Sequence, residues 1–253
     1  MIGASALMSR AVPSPCGPGN GDVWGVVAVI TCWSAKGGSG TSVVAAALAV
    51  LLARRPQGAL LVDLCGDQPA LLGCREPQGH GVRDWLVSAT DTPPDALGRL
   101  EMDVVTGLRL LPTGSGGDVG ARHPTETSAQ QAQALAGVLG RDLRGVVVDA
   151  GCVLGGPSPG AEAAVTAGAS SLLVVRPCYL ALRRALATGL RPTGVVVVSE
   201  PWRALAVGDV AEVLGAPVVA EVAVDPAVGR AVDAGVLAQR LPRGLHRALA
   251  NVV

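Results

Sequence analysis

Uninterrupted apolar runs recur along the chain at Val26–Ile30, Leu60–Val62, Val146–Val148, Leu172–Val175 and Val195–Val198, with a weaker one at Val218–Val222. A strand buried on both faces has no polar alternation, so these runs predict central parallel strands rather than half-solvated antiparallel ones. Between them lie Ala/Leu-rich stretches of helical length: Thr41–Arg54, Thr127–Leu139, Tyr179–Thr188, Val207–Leu214 and Ala227–Ala234. Strand and helix alternate, which predicts a single doubly wound, mostly parallel α/β sheet with helices on both faces and right-handed crossovers. No internal repeat breaks the pattern. Residues 23–253 are expected to form one domain, with the Gly/Pro-rich pieces Pro112–Gly120 and Gly155–Gly160 as loops inside it. Residues 1–22, with three Pro and four Gly and no periodicity, are expected to be a disordered tail, Met8 being a later candidate start.

Composition narrows the class. A chain of 253 residues that is 49% apolar and 16% charged can bury a large core and is not a disordered chain. Its formal net charge is zero, so no long-range attraction to DNA or anionic lipid is expected from the whole molecule. The core must be aliphatic, because the aromatics are four Trp, one Tyr and no Phe. Six cysteines occur without CxxC spacing, which fits a reduced, cytoplasmic protein with small buried thiols. Met1–Arg10 lacks the basic start and apolar run of a signal peptide. The apolar stretch at Trp24–Trp33 is too short to span a bilayer.

The chemistry concentrates where the first run ends. Trp24–Trp33 is followed by Ser34-Ala35-Lys36-Gly37-Gly38-Ser39-Gly40-Thr41-Ser42 and then by an apolar helix beginning with Val43. A glycine-rich turn between a strand and a helix lets successive N–H groups converge on a phosphate, and the helix N-terminus adds partial positive charge. Ser42 supplies a hydroxyl where Mg²⁺ needs an oxygen ligand. A standard phosphate loop reads G-x-x-x-x-G-K-[ST]; here Ala35 stands for the first glycine and Thr41 for the lysine. Lys36 is the one lysine among 20 basic residues, which makes its position informative. An ordinary Gly-rich strand–helix turn is the competing reading of this segment.

The loop resembles the deviant Walker A motif of the ParA/MinD ATPases, K-G-G-x-G-K-[ST], through Lys36, Gly37, Gly38, Gly40 and Ser42. The resemblance covers about residues 24–250 and implies a P-loop NTPase fold that binds ATP and Mg²⁺. Lys36 takes the place of the family's signature lysine, which reaches the partner's phosphates in a nucleotide-sandwiched homodimer. Asp63, after Leu60–Val62, matches the first acid of a D-x-D pair whose second position is Cys65; Asp67 is the alternative second acid. Asp149, after Val146–Val148, matches the Walker B aspartate, the competing reading being a helix cap or turn residue. The resemblance therefore makes Lys36, Asp63 and Asp67 the candidate catalytic residues. Ala35 to Val43 and Pro226 are the nucleotide contacts, and Ser42, Asp63 and Asp149 the magnesium set. Val224-Asp225-Pro226-Ala227-Val228 resembles the family's turn near the base. Glu200 and Arg203, where relatives place a base-reading residue, read as surface side chains.

With Thr41 and Cys65 at two key places, slow hydrolysis or none is expected. Loss of the loop lysine is similar to the CpaE/TadZ branch, which implies a dimeric switch positioning division, pilus or partition machinery, recruited to membrane or pole through partners. A MinD-like membrane-gripping tail does not follow Leu249, and the basic pairs Arg54-Arg55 and Arg183-Arg184 read as solvated faces rather than a DNA surface. Two other readings stand beside this one: a nucleotide-free scaffold working through protein contacts, and an iron–sulfur relative using Cys152 and Cys74.

Overall fold

The computed structural model describes residues 29–88, 94–114, 129–153 and 170–253. The tail 1–22, residues 26–28 of the first apolar run, 127–128 of the second expected helix and the 155–160 loop lie outside them.

Eight strands form one sheet: β1 (Val29–Ser34), β2 (Ala59–Asp63), β3 (Met102–Val105), β4 (Leu108–Leu111), β5 (Gly145–Cys152), β6 (Ser170–Val175), β7 (Gly194–Ser199) and β8 (Val218–Ala223). Their order is β3-β4-β2-β5-β1-β6-β7-β8. Every neighbouring pair is parallel except β3 with β4. The helices are α1 (Thr41–Leu52), α2 (Gln68–Leu72), α3 (Val82–Ser88), α4 (Ala129–Leu139), α5 (Tyr179–Ala187), α6 (Val207–Leu214), α7 (Pro226–Asp233) and α8 (Arg243–Leu249). A 3₁₀ segment covers Pro94–Leu100.

The unbroken apolar runs are explained by the two faces. Successive side chains alternate across a strand, so each β residue belongs to one layer or the other. Leu61 of β2, Val147 of β5, Val174 of β6 and Val196 of β7 join one continuous core with α1, α2, α7 and α8. Leu60, Val62, Val146 and Val148 turn the other way, under α3 and α4. On that same side Leu173, Val175, Val195 and Val197 pack under α5 and α6. Helix α1 has ten of its twelve residues buried, with Ala45, Ala46, Ala47 and Ala49 fully enclosed. A helix apolar all round can only be internal, and its small side chains let it lie close over the centre of the sheet.

The β3–β4 hairpin did not register as an apolar run. Its strands have four residues each, and β3 is a half-exposed edge with an irregular register between Asp103 and Val105. Polar contacts hold it. Arg109 pairs with Glu101 and Asp103, and Arg144 forks onto Glu101 at 2.7 and 2.8 Å. The first helix ends at Leu52, leaving Arg54 and Arg55 exposed in the following turn, and α7 begins at Pro226, one residue before the expected start. Among the described residues no helix is long and apolar enough to cross a membrane.

Candidate functional site at the carboxyl edge of the sheet

In an open parallel sheet, ligands are held outside the carboxyl ends of the strands. Here β1 leads into the glycine loop, β2 ends on Asp63 and β5 carries Asp149. The parallel register pairs Asp63 with Asp149 on adjacent strands, and Cys32 of β1 with Asp149 on its other side. Two carboxylates distant in sequence thus become neighbours, both completely buried.

The loop is built for close approach. Gly38 and Gly40 adopt φ of 73° and 91°, a left-handed conformation that glycine enters without strain. Gly40 caps α1, whose first turn receives no side-chain cap, so its amides remain directed into the loop. A Cβ placed at Gly37 or Gly38 would meet nothing within 4 Å, so the outer side of the loop is open. Ser39 is buried and donates to the carbonyl of Lys36 at 2.6 Å, which pins the loop from inside. Ala35 and Thr41 are buried, while Ser42 and Val43 are half-buried. The Lys36 ammonium makes one long contact, 3.5 Å to the carbonyl of Gly37. Among the described residues no other hydrogen bond or ion pair holds that side chain.

Asp63 organises the next turn. Its Oδ1 accepts the N–H groups of Cys65 (3.0 Å) and Gly66 (2.7 Å), and its Oδ2 accepts that of Gln68 (3.1 Å). Burial raises its pKa above the usual carboxylate range, with the nearby Asp149 adding to this, while the three amides pull the other way. Thr113, at the end of β4, donates to the Asp63 carbonyl at 2.8 Å. The turn delivers Cys65 and Gln68 to Asp149. Cys65 Sγ lies 3.1 Å from Asp149 Oδ2, 3.5 Å from Asp63 Oδ1 and 3.7 Å from Ser42 Oγ. Gln68 Nε2 donates to Asp149 Oδ2 at 2.7 Å and to the Ser42 carbonyl at 3.0 Å. Asp149 Oδ1 accepts the Gly151 N–H at 3.1 Å. Burial first, then the two carboxylates, push the Cys65 thiol far up, so it stays protonated and donates. Gly151 has φ of 64°, and a Cβ there would come within 2.9 Å of Cys65 Cβ, so a glycine at this position makes room for the thiol.

The expected residues separate into two groups. Ser42, Asp63 and Asp149 come together around Cys65, and Lys36 stands on the open loop beside them. Asp149 sits inside a strand and is not a helix cap. Asp67 is exposed ahead of α2 and makes no side-chain cap there. Pro226 is exposed at the end of β8, at the same edge but three strands along from β1. Gln68 and Thr113 carried no sequence signal beyond the Pro69 that marks the start of α2. One expectation is corrected. Glu200 is buried, its side chain 6% exposed, because Arg176 and Arg203 both pair with its carboxylate and remove the cost of desolvating it. Among the described residues, the group of metal-ligating side chains that converges is Asp63, Cys65 and Asp149, without Cys74 or Cys152. Cys74 packs against the α1 core instead.

The protein-family model described as cellulose biosynthesis protein BcsQ matches residues 27–186, well over half of the chain and all of the site just described except Pro226. The chain belongs to the BcsQ family. It shares the ParA/MinD-type P-loop fold. A ParA family ATPase from Chlorobium tepidum TLS superposes with a TM-score of 0.68 at 18% identity, over 88% of this chain and 96% of that one. The septum site-determining protein MinD of Pyrococcus horikoshii OT3, complexed with Mg-ADP, gives 0.66 at 20% identity over 89% and 93%. An ATP complex of McdA from Cyanothece gives 0.65 at 16% over 88% and 96%. No curated protein matches the chain significantly.

For this BcsQ-family site, the fit to nucleotide and metal is mixed. The open loop and uncapped α1 suit a polyphosphate, and the paired carboxylates beside Ser42 suit a divalent cation. A lysine at the helix start is lacking, and a thiol stands where a second switch carboxylate would be.

Proposed function

We propose that the chain is a ParA/MinD-like nucleotide switch that binds Mg-ATP at residues 35–43, dimerises when loaded, and positions machinery of cellulose synthesis. The observation that carries this reading is the uncapped N-terminus of α1 behind an open glycine loop, with the chain's single lysine beside it. Ser42, Asp63 and Asp149 would hold the magnesium ion, which neutralises phosphate charge when bound. Lys36, at the loop's rim, would pair with a phosphate across a homodimer. Pro226 and Val43 would flank the nucleoside and the phosphates. The family name, and the septum site-determining title of the MinD neighbour, support placement of envelope machinery as the task.

Hydrolysis would be weak or absent. Charge grows on the transferring phosphoryl group, and the attacking water must be held in line. Thr41 offers no positive charge for the first task. Cys65 is a protonated, poor acceptor for the second, and Asp67 stands outside the cluster. A charge-assisted hydrogen bond is worth about 1.5–3 kcal/mol. The missing lysine therefore weakens binding about tenfold to a hundredfold, and Thr41→Lys should recover that factor.

A nucleotide-free scaffold is the second reading, favoured by Thr41 in place of the loop lysine and by Cys65 in place of the second switch carboxylate. Equilibrium titration of the purified chain with Mg-ATP, alongside Lys36→Ala and with sedimentation to follow dimerisation, separates the two. Saturable binding that promotes dimers and is weakened by Lys36→Ala supports the switch. No binding at millimolar Mg-ATP overturns it.

A further inference from the structure

The outer layer of helices carries a surface that neither the core nor the glycine-loop site uses. Helix α5 buries Ala181, Leu182 and Ala185 against the sheet and turns Tyr179, Leu180, Arg183, Arg184 and Leu186 to solvent. Positions 179, 183 and 186 fall on one stripe, at i, i+4 and i+7. Tyr179 is 75% exposed, Leu186 51% and Leu180 43%. Helix α6 lies beside α5 in the same layer. Its Val210 and Leu214 are buried, while Asp209, Glu212 and Val213 face outward at i, i+3 and i+4.

We infer that the outer faces of α5 and α6 form a two-fold interface between two copies of this chain, α5 of each copy lying on α6 of the other. Charge decides the partner. Arg183 and Arg184 on α5 and Glu212 on α6 enter no ion pair among the described residues. Asp209 spends one oxygen on the Ala206 N–H and keeps its charge for the surface. In a two-fold contact, a patch meets its own copy turned about the axis. Basic α5 then faces acidic α6 twice over.

Occupants of one sign fit only half of this surface. An acidic segment or an anionic lipid layer would suit α5 and be repelled by α6, and a basic segment the reverse. A second copy brings both signs, and the zero net charge removes long-range repulsion between copies. Exposed ion pairs set register more than they add affinity. Affinity comes from Tyr179, Leu180, Leu186 and Val213, which the opposite copy takes out of water. Exposed apolar side chains that cluster, rather than scatter singly, mark an interaction surface. The nucleotide-dependent dimer proposed above uses the loop edge instead, so the two associations separate by their response to Mg-ATP.

The test uses the full chain, free of nucleotide and magnesium, followed by sedimentation over a micromolar concentration series. The expected result is a monomer–dimer equilibrium in the wild type. Reversing α5 (Arg183→Glu with Arg184→Glu) or α6 (Glu212→Arg) puts like charges opposite one another, and each should weaken the dimer about tenfold or more. An equimolar mixture of the two reversed chains should recover it, because one contact then joins the two reversed faces and the other the two native ones. A chain that had failed to fold could not recover on mixing. Leu186→Asp should abolish association. A monomeric wild type, reversals that leave the dimer intact, or a mixture that fails to recover it overturns the proposal. A monomeric wild type carried down by phosphatidylcholine vesicles containing phosphatidylglycerol would assign the face to lipid and overturn it too. Because no nucleotide is present, failure of Mg-ATP binding leaves this result standing, and the reverse holds too.

Discussion

Removing the Asp63 carboxylate should destabilise the protein through its backbone rather than through any ligand. The carboxylate is fully enclosed and accepts three main-chain N–H groups in a single turn. In Asp63→Ala all three donors lose their acceptor, at about 1–3 kcal/mol for each one that stays dry. The Gly66 amide belongs to an exposed residue and can find water, whereas Gln68 is completely buried. The expected loss is therefore about 3–6 kcal/mol, a large part of the total for an ordinary domain. Asp63→Asn should cost about 1–3 kcal/mol, because its amide oxygen can still serve Cys65 and Gly66 while its NH₂ faces the Gln68 donor. Urea unfolding at neutral pH, comparing midpoints at constant m, measures both. Alkylation of Cys65 should also quicken in Asp63→Ala as the turn loosens. If Asp63→Ala unfolded within 1 kcal/mol of wild type (the low end of a single lost donor), the clamp would be irrelevant to stability and the reasoning refuted.

Two further outcomes test the packing. At the end of α2, Gly73 has φ of 67°, and a Cβ there would lie 2.0 Å from the carbonyl oxygen of Gly235, so Gly73→Ala should cost about 1–3 kcal/mol or more; a neutral thermal shift would contradict the contact. Cys32 is fully buried in β1, and burial pushes its thiol pKa well up, with Asp149 adding to this. The unfolded chain then loses that proton near the ordinary thiol range while the folded chain keeps it. Stability should accordingly be intact below that range and fall by about 1.4 kcal/mol per pH unit above it, until the folded thiol ionises. Denaturation curves of wild type and Cys32→Ala between neutral and alkaline pH should differ by that slope; equal slopes would dismiss the thiol as its source.

The strands were legible because both-sided burial writes itself as unbroken Val/Leu runs, and five of the six runs fall within observed strands, with the first reaching into β1. The hairpin Met102–Leu111 was not, because an edge strand held by Arg109, Arg144 and Glu101 needs no apolar run. Glu200 looked like a surface charge because Arg176, one of the two arginines that permit its burial, is brought in by the end of the neighbouring strand β6, the other being Arg203 three residues on in the same turn.

By itself the sequence determined the layered α/β class and the glycine loop before an all-apolar helix. Those are properties of local pattern: periodicity, turn chemistry and residue type act over a few positions. Only the tertiary structure decided that Asp63 and Asp149 sit in register on adjacent strands, that Cys65 bridges them, and that Gln68 donates its side-chain amide to Asp149 at the same point. Strand order and register arise from packing two helical layers against one sheet. A contact between residues 63 and 149 has no local cause from which it could have been read.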